Sequence, residues 1–319
     1  MKLFITIDTE EDNWANYSRT DNPVENIRKI VELQALFDRY GARPTYLVSY
    51  PVATNPESVS ILRRILEQRK CEIGAHCHPW NTPPFEEELN DFNTMLCNLP
   101  EPLILKKLTT LHEAIVKNFG VTPVSFRAGR WGFSSGVARS LAKLNYRVDT
   151  SVSPYIDWSE YDGPDFSNFS PAPYRFDPDD IGTPNPGGAL MQMPATVAFL
   201  QRDFESCRQF SKTLETSLGK KLRLKGIYHC LGLLNKAWFS PEVSDHKTLI
   251  KLVYRMKMEG FPCMNMSFHS TTLKIGLSPF VKNKYEERKF YFKIEKLLSY
   301  INNKNIEIVL LKNIGKSIF

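Results

Sequence analysis

The amino-acid sequence predicts an α/β fold built on a parallel sheet, either open or closed into a barrel. Short apolar strands alternate with amphipathic helices along most of the chain, which is the pattern of repeated strand–helix units. Acidic, imidazole and guanidinium side chains cluster where predicted strands end, as they do in the sites of barrels and open sheets. With 319 residues, no internal repeat and no convincing linker, one large domain is the simplest organisation.

The predicted elements follow one another in a regular order. Residues 2–8 form the first strand, and residues 24–40 carry apolar side chains at helical spacing before Gly41, a favourable helix stop. Four strands and three helices then alternate: strands 45–52, 71–77, 123–129 and 146–152, and helices 56–69, 101–119 and 134–145. After a long loop the order resumes with strands 189–199, 223–230 and 261–269, helices 203–217 and 244–259, a basic helix at 284–303 and a short strand at 306–311.

The long loop at residues 154–188 interrupts this order. It holds seven prolines, seven acidic residues, one arginine and seven aromatic residues. A connection of this length in a compact domain is either functional or disordered, and the aromatic content favours an ordered structure. We therefore predict an acidic, aromatic lid over the site.

The positive charge of the chain is confined to its last part. The net charge is +6, and residues 273–319, with nine Lys, one Arg and four Glu, account for all of it. A neutral body with a basic tail, and no glycine-rich phosphate loop, argues against a nucleic-acid partner. We expect the basic helix at 284–303 to pack on the barrel, with weak contact to an anionic membrane surface as the alternative.

Composition excludes several classes of protein. A chain that is 42% hydrophobic and 12% aromatic is too apolar for disorder, and no run of about 20 apolar residues predicts a membrane span. Six cysteines are too few for a disulfide scaffold. The opening residues MKLFITIDTEED have too short an apolar run for a secretory signal, so we expect a cytoplasmic protein with reduced cysteines.

Acidic residues follow the first predicted strand. Because side chains alternate along a strand, Thr6, Asp8 and Glu10 share one face, and Asp12 joins them if the strand continues. Carboxylates at this end of a first strand lie where α/β barrels place their chemistry. The alternative is a polar strand end that only caps the next helix.

Two histidines end the third predicted strand, in EIGAHCHPW. His76 and His78 are two residues apart, so an extended chain projects both rings to one face while Cys77 points the other way. Two imidazoles and one carboxylate are a common ligand set for a catalytic Zn²⁺. Glu10, His76 and His78 are therefore the candidate ligands, with a Cys77 thiolate or purely structural histidines as alternatives.

Further candidates end later strands. In FRAGRWGF, Arg127 can orient a carboxylate, and the glycine-containing turn after it can present backbone N–H groups to an oxyanion. Asp149 ends another strand, and His269 ends the late strand in MSFHS, where an imidazole is suited to proton transfer. A surface loop with a salt bridge and a hydrogen-bonded structural histidine are the alternatives.

Taken in order, ITIDTEED, EIGAHCHPW, SFRAGRWGF, DTSVSP and MSFHS resemble the motifs of the polysaccharide deacetylase family, carbohydrate esterase family 4. The resemblance covers about residues 1–275 and implies a distorted (β/α)7 barrel there, followed by a basic helical extension at 276–319. It also implies a divalent metal, Zn²⁺ first, and hydrolysis of an N-acetyl or other N-acyl group of a sugar.

The resemblance assigns a role to each matched residue. Asp8 matches the general base, Glu10 the metal carboxylate and His76 the first metal histidine. Arg127 matches the partner of the base, Asp149 the residue that tunes the acid and His269 the general acid.

The sequence departs from the family pattern at three points. The adjacent aspartates of the common first motif are absent, so Asp12 competes with Glu10 as the metal carboxylate. The second histidine of the second motif falls on Trp80, and His78 is the nearby substitute. The third motif reads RAGRW and lacks its usual Pro and Tyr.

Sugar recognition is expected from aromatic side chains, and the candidates are Trp80, Trp131, Tyr155 and Trp158. A cytoplasmic enzyme would meet nucleotide-linked or lipid-linked glycans, so the expected substrate is an intermediate of surface polysaccharide biosynthesis. Hydrolysis of a small non-sugar amide or formamide, and a non-catalytic glycan-binding barrel, are the alternatives.

Overall fold

The computed structural model describes residues 1–214, 216 and 221–318, which fold into alternating strands and helices. The strands are β1 (Lys2–Thr9), β2 (Thr45–Val48), β3 (Glu72–Cys77), β4 (Ser125–Ala128), β5 (Val148–Asp149), β6 (Tyr174–Phe176), β7 (Leu190–Gln192), β8 (Val197–Phe199), β9 (Lys236–Trp238), β10 (Cys263–His269) and β11 (Glu307–Ile308). The helices are α1 (Ile30–Arg39), α2 (Tyr50–Thr54), α3 (Pro56–Glu67), α4 (Glu101–Phe119), α5 (Ser135–Lys143), α6 (Phe204–Leu214), α7 (Leu224–Cys230), α8 (His246–Met258), α9 (Lys284–Asn303) and α10 (Ile314–Ile318).

Seven parallel strands form the centre of the fold, in the spatial order β10–β1–β2–β3–β4–β5–β7. The antiparallel strand β6 extends the sheet beyond β7, and β11 pairs with β1. This arrangement confirms the predicted distorted (β/α)7 barrel. Because the seven strands are parallel, their carboxyl ends meet at one end of the barrel.

Between β7 and β10 the wall of the barrel is completed by the segment around Thr196. The N–H of Thr196 donates to the carbonyl of Asn265 (3.1 Å), and the N–H of Asn265 donates to Thr196 Oγ1 (2.8 Å). Pro194 has no N–H and lies between β7 and β8, so the single strand predicted at 189–199 is two strands. Strand β8 then pairs with β9 in a separate hairpin.

The central strands are buried on both faces, as expected for a parallel sheet. In β1 every residue after Lys2 is buried. Amphipathic helices cover the sheet, for example α1 through Leu33 and Phe37 and α4 through Leu108 and Leu111. This packing holds the polar side chains at the strand ends on rigid elements.

The last part of the chain closes the amino-terminal end of the barrel. Helix α9 buries Phe290 and Ile294, and β11 then lies beside β1. Leu311 and Ile314 join a buried cluster with side chains of β1, β5, β7 and β10. The predicted extension at 276–319 therefore supplies a strand and core side chains to the barrel.

Several elements differ from the sequence prediction. The strand predicted at 45–52 ends at Val48, and Tyr50–Thr54 form helix α2. The strand predicted at 223–230 is helix α7. None of its described side chains is buried and Ile227 is 49% exposed, which leaves no buried face for a sheet. Of the strand predicted at 306–311, only two residues pair with β1. The end of the helix predicted at 203–217 lies outside the described residues. None of the helices in the described ranges has the length and hydropathy needed to cross a bilayer.

The predicted lid at 154–188 is ordered. The N–H of Tyr155 donates to the carbonyl of Phe166 (3.0 Å), and the N–H of Phe166 donates to that of Ile156 (2.8 Å). The lid contains β6, and its Trp158 lines a cavity at the carboxyl end of the barrel.

Candidate active site

Functional side chains converge at the carboxyl end of the barrel. Asp8 is opposite His269 in the β1–β10 register, and His76 is opposite Arg127 in the β3–β4 register, so these strands end side by side. They surround a cavity of about 200 Å³. The predicted site residues that line this cavity are Asp8, Glu10, His76, His78, Trp80, Arg127, Trp131 and His269.

Glu10, His76 and His78, the metal triad from here on, form a compact buried group. Their candidate ligand atoms all lie within 4.8 Å of one another. Glu10 Oε2 is 3.3 Å from His76 Nε2 and 3.4 Å from His78 Nε2. One carboxylate and two imidazoles with a converging arrangement fit a divalent transition metal such as Zn²⁺.

Hydrogen bonds on the far side of each histidine orient the metal triad. His76 Nδ1 is 3.0 Å from the carbonyl oxygen of Arg127, and His78 Nδ1 is 2.8 Å from Glu11 Oε1. Such contacts fix the ring so that Nε2 faces a metal. Burial raises the pKa of Glu11, but His78 outweighs it and lowers this pKa to about 2, so Glu11 is ionised.

Glu10 itself is placed by two contacts of its backbone. Its N–H donates to Ser270 Oγ (3.1 Å), and its carbonyl accepts from Asn26 Nδ2 (2.8 Å). Burial raises the pKa of Glu10 to about 8, despite the nearby imidazoles. A bound cation would stabilise the ionised form of this carboxyl, which agrees with the ligand set.

Asp12, the alternative carboxylate, has a different role. Its carboxylate accepts from the backbone N–H groups of Glu25 (2.9 Å) and Asn26 (3.0 Å), at the start of the single-turn helix Glu25–Lys29. It therefore caps that helix and lies outside the metal triad.

Asp8 and Arg127 form a buried ion pair beside the metal triad. Arg127 Nη1 lies 2.6 Å from Asp8 Oδ1. The remaining guanidinium donors bind Thr6 Oγ1 (2.7 Å) and both the carbonyl (3.0 Å) and hydroxyl (3.1 Å) oxygens of Thr150. Burial raises the pKa of Asp8, but the charges of Arg127 and His76 outweigh it, so the pKa lies below its usual value and Asp8 is ionised.

His269 completes the group from β10, the strand beside β1. Its Nε2 is 3.7 Å from Asp8 Oδ2, and its Nδ1 is 3.1 Å from Glu242 Oε2. Burial lowers the pKa of His269, but the carboxylates of Glu242, Glu10 and Asp8 outweigh it and raise this pKa to about 10. The imidazole therefore carries a proton near neutral pH.

The prediction that Asp149 tunes His269 is wrong. The Asp149 carboxylate accepts from the backbone N–H (2.8 Å) and the hydroxyl (2.6 Å) of Ser151 instead. Burial raises the pKa of Asp149 to about 7. Glu242, in the turn between β9 and α8, makes the contact with His269 that was expected of Asp149.

The predicted aromatic platforms lie in three different surroundings. Trp131 and Trp158 line cavities at the site. The ring of Trp80 stacks on His78 (centroids 4.1 Å apart) and is only 5% exposed, and it lines the cavity that faces the metal triad. The ring of Tyr155 packs against Phe199 and lines a groove on the other side of the lid, so its predicted sugar contact at the site is corrected.

The turn after β4 has an unusual backbone. Arg130 (φ 52°) and Trp131 (φ 61°) are consecutive non-glycine residues in the left-handed region. Such conformations store strain and cluster at functional sites. The Arg130 guanidinium bonds to Thr94, and that of Arg127 lies 5.3 Å from the Trp131 ring, which hold the turn in place.

Sequence reasoning missed Glu11, Glu242, Trp14 and Trp238. Alternation along β1 placed Glu11 away from the site, but β1 ends at Thr9 and the chain then turns. Glu242 stands in FSPEVSD, where the only sequence signal is an acidic residue close before a helix. Trp14 packs edge-on to His269, with centroids 4.9 Å apart.

Solved structures show what this arrangement is similar to. A Mycobacterium smegmatis protein assigned as a polysaccharide deacetylase has a TM-score of 0.56 at 16% identity, over 99% of this chain and 89% of that one. A Parabacteroides distasonis protein assigned as a glycoside hydrolase/deacetylase has a TM-score of 0.60 at 12% identity, over 99% and 70% of the two chains. The chain has the polysaccharide deacetylase fold.

The same fold also carries other chemistry. The 4-alpha-glucanotransferase of Thermococcus litoralis has a TM-score of 0.54 at 11% identity, over 100% of this chain and 40% of that one. No family model and no curated protein matches the sequence. At these identities the likeness shows the fold alone, so the reaction has to be argued from the residues of this chain.

Proposed function

We propose that the protein is a metal-dependent hydrolase that removes an N-acyl group, most simply acetyl, from a sugar. One observation carries the proposal. An ionised carboxylate (Asp8), a protonated imidazole (His269) and the metal triad face a single cavity at the carboxyl end of the barrel. Base, acid and Lewis-acid site are the groups that amide hydrolysis needs.

The metal triad of Glu10, His76 and His78 would hold the ion. When bound, Zn²⁺ supplies Lewis acidity to a water molecule and to a carbonyl oxygen. The contacts of His76 with the Arg127 carbonyl and of His78 with Glu11 orient both Nε2 atoms toward Glu10 Oε2, where they would hold the ion.

Asp8 is the proposed general base. It accepts a proton from the attacking water as the new C–O bond forms. Arg127 holds this carboxylate ionised and oriented, since the 2.6 Å ion pair leaves Oδ2 facing His269. Backbone N–H groups near Arg130 and Trp131 are proposed to bind the oxyanion.

His269 is the proposed general acid. As the C–N bond breaks, its Nε2–H donates a proton to the departing amine nitrogen. Glu242 accepts from Nδ1 (3.1 Å), which keeps the ring oriented and protonated. The products are a carboxylic acid and an amino sugar, and the atoms of one water molecule are divided between them.

An N-acylated sugar is favoured over a small amide because aromatic side chains, among them Trp131 and Trp158, line the cavities at the site.

We further propose a nucleotide-linked or lipid-linked glycan in the cytoplasm, as part of surface polysaccharide biosynthesis. All six cysteines are free thiols, which supports a reducing compartment. Exposed Tyr285 and Phe292 on the basic helix α9 support a weak contact with an anionic membrane.

The test is acetate release from N-acetylated sugars. Chelated protein should be inactive and should regain activity with Zn²⁺. Asp8→Asn in the reloaded protein should release acetate at least about 100-fold more slowly, whereas Asp179→Asn, at an exposed position, should behave as wild type. Equal release by Asp8→Asn would remove Asp8 as the base. Glycan binding without any release by loaded wild type would support a non-catalytic barrel instead.

A further inference from the structure

Arg130 lies on the boundary of two cavities at the carboxyl end of the barrel. The first is the cavity of about 200 Å³ that faces the metal triad, and the second, of about 370 Å³, adjoins it. Both are lined by Arg130 together with Asp8, Trp14, Trp131 and His269. A group held by Arg130 is therefore close to the proposed base and the proposed acid.

Arg130 differs from the other cationic side chains at the site because it has no acidic partner. Arg127 is paired with Asp8, and His269 is paired with Glu242. Among the described residues, no carboxylate forms an ion pair with Arg130. A half-buried guanidinium without a counter-ion keeps its charge available for a ligand.

One nitrogen of the Arg130 guanidinium is anchored and the other two are free. Nη1 donates to the Asp91 carbonyl (3.1 Å) and to Thr94 Oγ1, and Cζ lies 5.4 Å from the centre of the Tyr17 ring. Nε and Nη2 have no hydrogen-bond partner in the part of the chain that the structure describes. Because the anchored nitrogen already fixes the side chain, little side-chain freedom is lost when a ligand binds to the other two.

The free edge of the guanidinium has the geometry that a two-oxygen anion needs. Through the same two nitrogens, Arg28 binds both carboxylate oxygens of Glu57 elsewhere in this protein, at 2.7 and 2.8 Å. Two parallel N–H groups on a positive charge fit a carboxylate or a phosphate. A neutral hydroxyl group does not offer the matching pair of charged oxygens.

Two further hydrogen-bond donors line both cavities beside Arg130. The indole N–H groups of Trp14 and Trp131 have no acceptor among the described residues. Indole and guanidinium groups donate but cannot accept, so a ligand among them has to supply acceptors. An oxyanion supplies acceptors alone, whereas a hydroxyl group brings a donor that these three side chains cannot satisfy.

The boundary position limits where the anion stands on the substrate. In the proposed reaction the amide lies between the metal triad and His269 Nε2, and His269 lines both cavities together with Arg130. The anion therefore belongs to the sugar residue that carries the amide, or to the group bonded directly to that residue.

We propose that Arg130 pairs with a carboxylate or phosphate of the substrate, so that the enzyme prefers an acidic N-acylated sugar over a neutral one. This inference rests on the proposed amide hydrolysis. The carboxylate would be that of a uronic acid, and the phosphate would be that of a sugar 1-phosphate or its ester. The oxyanion is common to both sources.

The test uses three N-acetylated sugars with the Zn²⁺-loaded protein. They are the methyl glycosides of N-acetylglucosamine and of N-acetylglucosaminuronic acid, and N-acetylglucosamine 1-phosphate. Acetate release gives kcat/KM for each sugar, and quenching of tryptophan fluorescence gives the Kd of the three corresponding amines. We expect both measurements to favour at least one acidic sugar over the neutral one by at least about tenfold. The favoured sugar identifies the source of the anion.

Variants of Arg130 assign the preference to this side chain. Arg130→Gln should reduce the preference below about threefold, and Arg130→Lys, which keeps the charge and loses the fork, should retain part of it. Arg63→Gln, at an exposed position paired with Glu67, is the matched control and should leave the preference unchanged. Since each preference is a ratio within one protein, a general loss of activity in a variant cancels. A preference that persists in Arg130→Gln would overturn the assignment, because another group, such as the metal ion, would then bind the anion.

The outcomes separate this inference from the proposed function. Hydrolysis of all three sugars with similar kcat/KM, or a preference for the neutral sugar, overturns the anion site and leaves the hydrolase. Tighter binding of an acidic amine without hydrolysis of any sugar supports the anion site and overturns the hydrolase. Absence of both hydrolysis and binding overturns both.

Discussion

The two ends of the barrel both bury carboxylates, but the carboxylates have different surroundings. At the carboxyl end, Asp8 and Glu10 face a cavity together with three imidazoles and two guanidinium groups. At the amino end, Glu72 accepts from the hydroxyls of Thr45 (3.0 Å) and Ser125 (2.5 Å) and from the backbone N–H of Lys312 (2.9 Å).

A buried acid in the barrel is a candidate for chemistry only where its oxygens face an open cavity. The oxygens of Glu72 are bonded to groups of the fold itself, under the segment that closes the barrel. Asp8 Oδ2 and Glu10 Oε2 instead face imidazole nitrogens across a cavity. A substrate can reach the second arrangement and not the first, so burial alone does not mark the site.

Arg127→Gln should have the largest effect. It leaves the Asp8 carboxylate buried without its ion partner, so we expect the free energy of unfolding to fall by about 3–5 kcal/mol and acetate release to fall by at least about 100-fold. Urea denaturation followed by circular dichroism measures the first. The matched control is Arg28→Gln, which removes an exposed pair with Glu57 and should change stability little. Equal effects of the two variants would contradict the buried pair.

Glu242→Gln should change the pH dependence of the reaction. The pKa of His269 is raised to about 10. Among the three nearby carboxylates that raise this pKa, Glu242 contributes most, ahead of Glu10 and Asp8. A general acid is lost as pH rises through its pKa, so the alkaline limb of kcat should lie near pH 10 in wild type and move to lower pH in the variant. We also expect kcat at pH 7.5 to fall by about tenfold or more. An unmoved alkaline limb would show that Glu242 does not act through His269.

Gly129→Ala should weaken metal binding without removing a ligand. A Cβ atom at residue 129 would overlap the His78 ring and lie 2.9 Å from the carbonyl oxygen of Cys77. Displacing His78 should raise the Kd for Zn²⁺ by about 10- to 100-fold. Gly136→Ala is the control, because its nearest atoms are 3.6 Å or more away. Competition with a chromophoric chelator measures both, and an unchanged Kd in Gly129→Ala would exclude His78 as a ligand.

Glu72→Gln should affect stability alone. The new amide NH₂ cannot accept from Thr45, Ser125 or Lys312, so one or more buried donors lose their partner. We expect a loss of about 1–3 kcal/mol in unfolding free energy and a kcat within about twofold of wild type. A large loss of kcat in a folded variant would mean that the amino end takes part in the chemistry.

Much of the fold and part of the site could be predicted because they follow from local pattern. The alternation in β1 places Thr6 and Asp8 on one face, and both contact Arg127 in the structure. The two-residue spacing of His76 and His78 likewise brings both rings to Glu10. A strand end is a position that the sequence specifies directly.

The rest depended on tertiary contacts that no spacing encodes. Glu242 reaches His269 from a turn 27 residues earlier in the chain, and Asp149, although it ends a strand, is bonded to Ser151 two residues later. The position of Trp80 beside the histidines in the sequence predicted contact with a sugar, but its ring stacks on His78. Helix α7 was mistaken for a strand because burial, which decides between the two, is set by the whole fold.

The central claim is that Glu10, His76 and His78 hold one metal ion. Equilibrium dialysis against Zn²⁺, with metal content measured by mass spectrometry, tests it in wild type, Glu10→Gln and the exposed control Glu57→Gln. We predict one ion per chain in wild type and Glu57→Gln, and a Kd at least about 100-fold weaker in Glu10→Gln. Equal Zn²⁺ affinity in all three proteins, or no binding by wild type, would contradict the account.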